Sequence, residues 1–600
     1  MNPRLLLRRA LVILVPLALV AGIAMLVAPR LAAGQLRRAA AQRGLALSWR
    51  SLSMQWPAGI RVSGLNGVAQ GTTDTLVTAR EFSGRIAPLS VFGGRPRVTS
   101  ITLAGARIFA RATAGTDADT LAPAADAGDR VAPAVAERVR RRADALVRAL
   151  LVPARNLPEL HLTDVEWRRP GAGLSLTALD LTHDDGGTSL AAAGTVHGET
   201  PMPFDALARW ERDDHFTARA EFRIAGAEPP SPSSVVLVFD GQVTQDRRAR
   251  ELRVAPGAQL RIGQLGARLT AVAAAEGPRF ELAIEADSLT ARQVVRSLPQ
   301  PVLGPLTGLE VTGSWDWHAQ VKLDLAQPDS VRFSADVIPH GLALDPALSR
   351  PSLHVISGPF RAAIHLPRQR VIVREMNALN PHYRPLDRIS PYLRDALITN
   401  EDGGFWKHRG FNTEAIGLAM AANLRAGSYR RGAGTITMQL ARNLWLGHER
   451  TLSRKGQEVV LAWLLEHETG IPKERLLEVY LNIIEWGPDL HGASEAARWY
   501  FDKGADELTL DEALFLAILV PSPSKWRWRV GPDAQLRPFA RAQMAFIAGK
   551  MASKGWLDPA AVPHADSLRI ELRGAARALF AAPDSAGAAA DAPSDSLAFD

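Results

Sequence analysis

The chain has 600 residues, 47% of them apolar and 22% charged, so it is long enough for several domains and has ample apolar material for a core. Its net charge of +8 favours an anionic partner: nucleic acid, anionic lipid headgroups or a phosphorylated substrate. It contains no cysteine, which excludes disulfides, thiolate zinc sites, cysteine nucleophiles and lipoprotein anchoring on cysteine.

Ala10 to Ala28 form an uncharged apolar run interrupted only by Pro16 and Gly22. As a helix it would span about 28 Å, close to the ~30 Å of bilayer hydrocarbon. Arg4, Arg8 and Arg9 ahead of it favour a cytoplasmic N-terminus, although Arg30, Arg37 and Arg38 weaken that orientation. A cleaved leader ending near Ala32-Ala33-Gly34 is the rival reading, but the run is long for one. The expectation is an uncleaved anchor over 1–37. The protein would then cross the cytoplasmic membrane once, with the remaining chain on the outer, periplasmic side.

Residues 38–372 read as strands. Apolar residues alternate with polar ones from Leu309 to Leu323, from Phe216 to Ile224, from Phe280 to Ile284 and from Val331 to Val337. The pattern predicts an elongated, mainly β, antiparallel region with one greasy face. That face fits either an ordinary sandwich core or a groove that shields acyl chains. Residues 113–134 are rich in Ala, Asp, Thr, Gly and Pro and predict a disordered insert. Val135 to Leu151 reads as an amphipathic helix with a basic face. Near Leu386 the texture turns helical, which predicts a mainly α domain over 373–535. A helical extension over 536–581 and a disordered tail over 582–600 follow.

Four polar blocks lie in the helical part. The first is Glu401-Asp402-Gly403-Gly404-Phe405-Trp406-Lys407-His408-Arg409-Gly410, with two adjacent carboxylates beside aromatics and cations. Burial or a neighbouring negative charge would raise a glutamate from its usual pKa of about 4.3 and fit it to act as a base. A solvated helix end would explain the pair equally well in isolation. In the second, Gly432 and Gly434 let backbone approach a ligand, while Thr435, Thr437 and Gln439 carry hydrogen-bonding groups suited to sugar hydroxyls or phosphate oxygens. Arg442 follows one helical turn later. In the third, Arg454 and Glu458 are spaced i, i+4, which fits a surface ion pair or, with Lys455 and Arg442, a cationic cradle for a diphosphate. The fourth, Lys473 to Asn482, puts Glu478 and Asn482 on one helical face with Tyr480 among core residues, and reads as support for the site.

Together these blocks resemble the peptidoglycan glycosyltransferase (transglycosylase) domain, glycosyltransferase family 51, over about residues 375–530. Glu401, Asp402, Phe405, His408 and Gly410 match its first motif. Gly432, Thr435, Ile436, Thr437, Gln439 and Asn443 match the second. Arg454, Lys455 and Glu458 match the third, and Lys473, Glu478, Tyr480, Leu481 and Asn482 the fourth. Gly434, Met438 and Arg442 depart from it, standing where the family usually has Ser, Gln and Lys.

The resemblance implies a lysozyme-like fold and polymerisation of lipid II with inversion at the donor anomeric carbon and release of undecaprenyl diphosphate. Glu401 would be the general base and Glu458 the second acidic residue. Asp402, Phe405, His408, Thr435, Gln439, Arg442, Arg454 and Lys455 would bind substrate. The stretch from Ala415 to Leu424 resembles the family's membrane-dipping jaw. No cofactor is required, although the single carboxylate of Asp402 leaves room for a divalent metal, Mg or Mn, on the diphosphate. Implied partners are lipid II, the growing glycan chain, membrane lipids and other cell-wall synthesis proteins. With an anchor and no basic stripe interleaved with aromatics, nucleic acid is not among them.

No Lys-Thr-Gly follows, so the protein is expected to be monofunctional, without a transpeptidase domain. The N-terminal region is similar in pattern to AsmA-like envelope proteins, through Gly44-Leu45-Ala46-Leu47 and Val98 to Ile108. A muramidase-type hydrolase and a non-catalytic lipid-binding protein with a decayed transferase domain are the alternatives.

Overall fold

The computed structural model describes residues 33–580 except 35, 39, 43, 56–58, 73, 88–96, 110–136, 138, 149–150, 170–171, 199–200, 225–231, 367–369, 427–430 and 448–450. The apolar run from Ala10 to Ala28, the insert at 113–134 and the tail from 582 lie outside these residues. Among the described residues no helix is long and apolar enough to cross a membrane.

Strands β1 (Leu45–Ser48), β2 (Ser51–Gln55), β3 (Gly59–Ala69), β4 (Thr75–Ile86), β5 (Val98–Phe109), β6 (Glu159–Arg169), β7 (Ala172–His183) and β8 (Gly187–His197) form the first half of one sheet. The second half is β9 (Met202–Glu211), β10 (His215–Arg223), β11 (Ser234–Asp246), β12 (Glu251–Ile262), β13 (Leu265–Ala274), β14 (Arg279–Leu289), β15 (Val311–Asp324) and β16 (Arg332–Leu344). They follow sequence order across the sheet, apart from β2, which pairs with β3 alongside β1. Every pairing is antiparallel except β5 with β6. A parallel pair needs a long crossover, supplied here by the segment after Phe109, which contains a helical stretch over 139–148. Asp144 in that stretch accepts from the Glu276 N–H at 2.7 Å, at the β13–β14 turn.

The period of two fixes which side chains share a face. Phe216 lies opposite Trp210 and Phe222 opposite Phe204. Leu282 lies opposite Val321, and Ala319 opposite Ala335. The other face carries ion pairs such as Arg209–Asp184 and Arg268–Asp287. The sandwich expectation is not met, because all sixteen strands belong to one sheet and no second sheet packs on its apolar face among the described residues. Among the described residues, Ala79, Ala106 and Val165 form a small buried cluster within the sheet.

The main core is elsewhere. It runs from Leu309 to Ala576 and is built chiefly by helices. After the short helices α1 (Ala291–Ser297) and α2 (Gln300–Leu303) come α3 (Pro391–Glu401), α4 (Thr413–Ala426), α5 (Ile436–Trp445), α6 (Leu452–His467) and α7 (Lys473–Ile483). α8 (Ala493–Phe501), α9 (Leu510–Leu519), α10 (Pro538–Ser553) and α11 (Gly574–Ala578) complete the set. A small hairpin, β17 (Arg361–His365) with β18 (Val371–Glu375), packs against α5. α3 packs against α9 and α10, and α5 against α6 and α7.

The fourth sequence block has the supporting place expected of it. Glu478 on α7 accepts from the Leu386 N–H at 2.8 Å and from the Tyr383 hydroxyl, and is ion-paired with Arg475. Asn482 holds both the N–H and the carbonyl of Arg384, at 2.9 and 2.8 Å. These bonds tie the segment leading into α3 onto α7. Replacing Glu478 with Ala removes the carboxylate paired with the shielded Arg475 and leaves the Leu386 N–H without its acceptor. The expected cost is about 3 kcal/mol, read as a lower denaturation midpoint.

Candidate active site

The adjacent carboxylates of the first block are sent to different places. Glu401 is the last residue of α3, and Asp402 is its C-cap, with an extended backbone. The Asp402 carboxylate accepts from the Ile436 N–H at 3.0 Å, in the first turn of α5. Both of its oxygens lie 2.9 Å from His408 Nε2. A carboxylate at a helix N-terminus meets unsatisfied N–H groups and the positive end of the helix dipole. One side chain thereby ties the first block to the second. Thr435 completes the cap: its hydroxyl accepts from the Met438 N–H at 3.2 Å and donates to the Gly410 carbonyl at 2.6 Å.

Gly410, with φ +85°, seats the loop on α6. A Cβ there would come within 2.8 Å of the Trp463 backbone. Phe405 is 0% exposed. Lys473 Nζ lies 4.3 Å from the centre of its ring and 2.7 Å from Glu466, which also accepts from the Thr437 hydroxyl. Asp402, Phe405, His408 and Thr435 are therefore buried and held by protein partners.

Glu401 faces the other way. Asn400 donates to its Oε1 at 2.8 Å, and Gln439 donates to its Oε2 at 3.0 Å. The Gln439 carbonyl accepts from the fully buried Tyr480 hydroxyl at 2.9 Å. Because that hydroxyl donates, the amide NH2 must point at Glu401. Burial raises the Glu401 pKa above its ordinary 4.5 and Asp402 adds to the rise, against the opposing pull of Gln439, Asn400 and Arg442.

Arg442, on the same helix as Gln439, is shielded from water. Burial lowers its pKa, and its Nε has no hydrogen-bond partner. It acts electrostatically on both Glu401 and Lys455. On α6, Glu458 is almost wholly buried, ion-paired with Arg454 and 2.9 Å from Lys455 Nζ. Burial and the charges of Arg442 and Arg454 push Lys455 down to about 8. The structure thus groups Glu401, Gln439, Arg442, Arg454, Lys455 and Glu458.

Asn400 and Tyr480 were not anticipated as site residues. Tyr480 reads as core in the helical pattern, and only its contact with Gln439 reveals its part. Among the described residues no group of three His, Cys, Asp or Glu side chains is disposed to hold a metal ion. The Asp402 carboxylate is engaged by His408 and Ile436.

The profile of a family described as Transglycosylase matches residues 369–551. The biosynthetic peptidoglycan transglycosylase of Alcanivorax borkumensis is 39% identical over 181 residues, which are 30% of this chain and 71% of that protein. The protein of the same name from Aeromonas hydrophila is 41% identical over 182 residues, 30% of this chain and 74% of the relative. This chain belongs to the transglycosylase family. A Paraburkholderia xenovorans relative is 45% identical over 139 residues, 23% of this chain and 57% of its own length. The family match begins at residue 369, after the sixteen-stranded sheet.

Two of the family departures have structural settings. A Cβ at Gly434 would sit 3.2 Å from Lys455 Nζ, so glycine leaves space for that ammonium. Met438 is 1% exposed, and its thioether belongs to the interior. A carbon-13 titration of the Glu401 carboxyl should give a midpoint above 4.5. In Gln439→Leu, loss of a bond that favours the charged form should move that midpoint higher still.

Proposed function

We propose that this chain is a monofunctional peptidoglycan glycosyltransferase that polymerises lipid II and releases undecaprenyl diphosphate. Glu401 takes the proton from the acceptor 4-hydroxyl. The acceptor oxygen forms its bond to the donor anomeric carbon with inversion, the bond from that carbon to the diphosphate oxygen breaks, and the diphosphate departs with the electron pair. Arg442, Arg454 and Lys455 stabilise the charge that builds on the leaving group. Glu458 positions Arg454 and Lys455 from below. Asp402, His408, Thr435 and Phe405 hold the loop that presents Glu401, and Gln439 orients its carboxylate.

The observation that carries this reading is the shielded Glu401, its proton affinity raised by burial, placed within electrostatic reach of a shielded arginine that also acts on Lys455. A hydrolase needs a carboxylate pair and a water, with no use for the cations, so the cluster favours transfer. The work would be done at the outer face of the cytoplasmic membrane, with the growing glycan chain as acceptor or donor and other cell-wall synthesis proteins as partners.

The test is incubation of the purified chain with labelled lipid II. Wild type should yield glycan strands and free lipid diphosphate, and Glu401→Gln should lower the rate by about 10³-fold. Cleaved sugars would point to a hydrolase, and an unchanged rate in Glu401→Gln would remove Glu401 as the base. The KM for lipid II should rise as pH passes about 8 and Lys455 loses its proton. Lys455→Arg, charged throughout this range, should flatten that rise.

A further inference from the structure

We propose that the exposed face of α10, with Trp528 beside it, seats the helical half of the chain on the surface of an anionic bilayer. This docking is independent of the transfer chemistry proposed above, and it uses other elements than the stretch from Ala415 to Leu424.

α10 has 16 residues, of which only Arg541 and Lys550 are charged. A helix this apolar on all sides is expected to be enclosed on all sides. Ala540, Met544, Ile547, Ala548 and Met551 are indeed buried, and the helix packs against α3 and α9. Phe539, Ala542, Phe546, Gly549, Lys550 and Ser553 are exposed, at the three- and four-residue steps of a single helical face. Phe546 is 66% exposed and Phe539 50%. Trp528, 60% exposed, stands near the start of the helix, where the Arg537 N–H donates to the Arg529 carbonyl at 2.9 Å. Apolar side chains exposed singly are ordinary, but two phenylalanines in one row with only an alanine between them are not.

Charge selects the occupant. From Pro521 to Lys554 the chain has seven Lys and Arg residues and one acidic residue, Asp533. Each exposed ring has a cation over it. Lys525 Nζ lies 4.8 Å from the Trp528 ring centre, Lys550 Nζ 5.5 Å from that of Phe546, and Arg529 Cζ 5.8 Å from that of Phe539. Rings flanked by cations suit the level of lipid headgroups. There the rings enter the acyl boundary and the cations meet anionic headgroups. A sugar strand would need hydrogen-bonding side chains beside the rings, and between Phe539 and Phe546 the row offers only Ala542.

The face is also bonded to the first sequence block. Lys554, the C-cap of α10, donates to the Gly403 carbonyl at 3.0 Å, two residues after Glu401. In the same loop Trp406 is exposed, edge-on to the buried Phe405. Docking of α10 therefore sets how that loop is turned towards the bilayer.

The chain has no cysteine, so Ala542→Cys gives a unique attachment point for a nitroxide in the full chain. With phosphatidylglycerol vesicles the label should collide more often with dioxygen, which dissolves in lipid, than with a water-soluble nickel complex. With phosphatidylcholine vesicles that order should reverse. Lys525→Gln combined with Lys550→Gln should shift the balance from docked to undocked by about thirtyfold. Phe546→Ser should likewise open the label to nickel. These three side chains are exposed, and an unchanged melting temperature checks that each variant folds. A label open to nickel on phosphatidylglycerol, equal protection on both lipids, or protection already present without lipid would each overturn the proposal. So would dipolar broadening between labels on two chains, which would mean that a second copy covers the face. If the wild type docks but does not polymerise lipid II, the transfer reading falls and the docking stands.

Discussion

The Asp402 carboxylate is the joint on which the catalytic half depends. It sits where α3 ends, and it binds the first N–H of α5 and the ring of His408. A buried carboxylate is costly unless its oxygens are occupied, so this arrangement holds the loop in one geometry. That geometry turns Glu401, the preceding residue, towards Gln439 and Arg442. Two chemically similar side chains in sequence thus do different work: one is saturated and structural, the other kept partly desolvated and inclined to hold a proton.

The cations show the same division between support and exposure. Glu458 is buried beneath Arg454 and Lys455 and fixes their positions without cancelling the charge of the whole cluster, which also includes Arg442. Crowding of like charges and loss of water lower the proton affinity of Lys455. An arriving diphosphate would offset the crowding of like charges. The strain among the cations is relieved by the ligand, as in other preorganised anion sites.

The sheet and the helical half obey different packing rules. The helices bury large side chains almost completely, Trp486, Tyr480 and Tyr500 among them. The sheet leaves most of its apolar face partly open. The two halves are joined through α4 against β16 and through Gln457 against the α2 turn. The sheet itself touches α4, while α6, which carries Gln457, is met by the α2 turn.

Period-two alternation determined the strands around Phe216, Phe280, Trp315 and Phe333, because each residue in a strand must face one side or the other. Four ordered polar blocks likewise pointed to Glu401, Arg442, Arg454, Lys455 and Glu458 as candidates, because such residue types at such spacings have few structural reasons to recur together. Alternation reveals that a face is apolar but not what covers it, so one open sheet and a closed sandwich looked alike until strand pairing was known. Only the tertiary structure distinguished Glu401 from Asp402, enlisted Tyr480 through its hydroxyl, and enclosed Thr435 and Phe405. Which atoms meet across 34 or 41 residues of chain is settled by packing of whole helices, and local pattern carries no record of it.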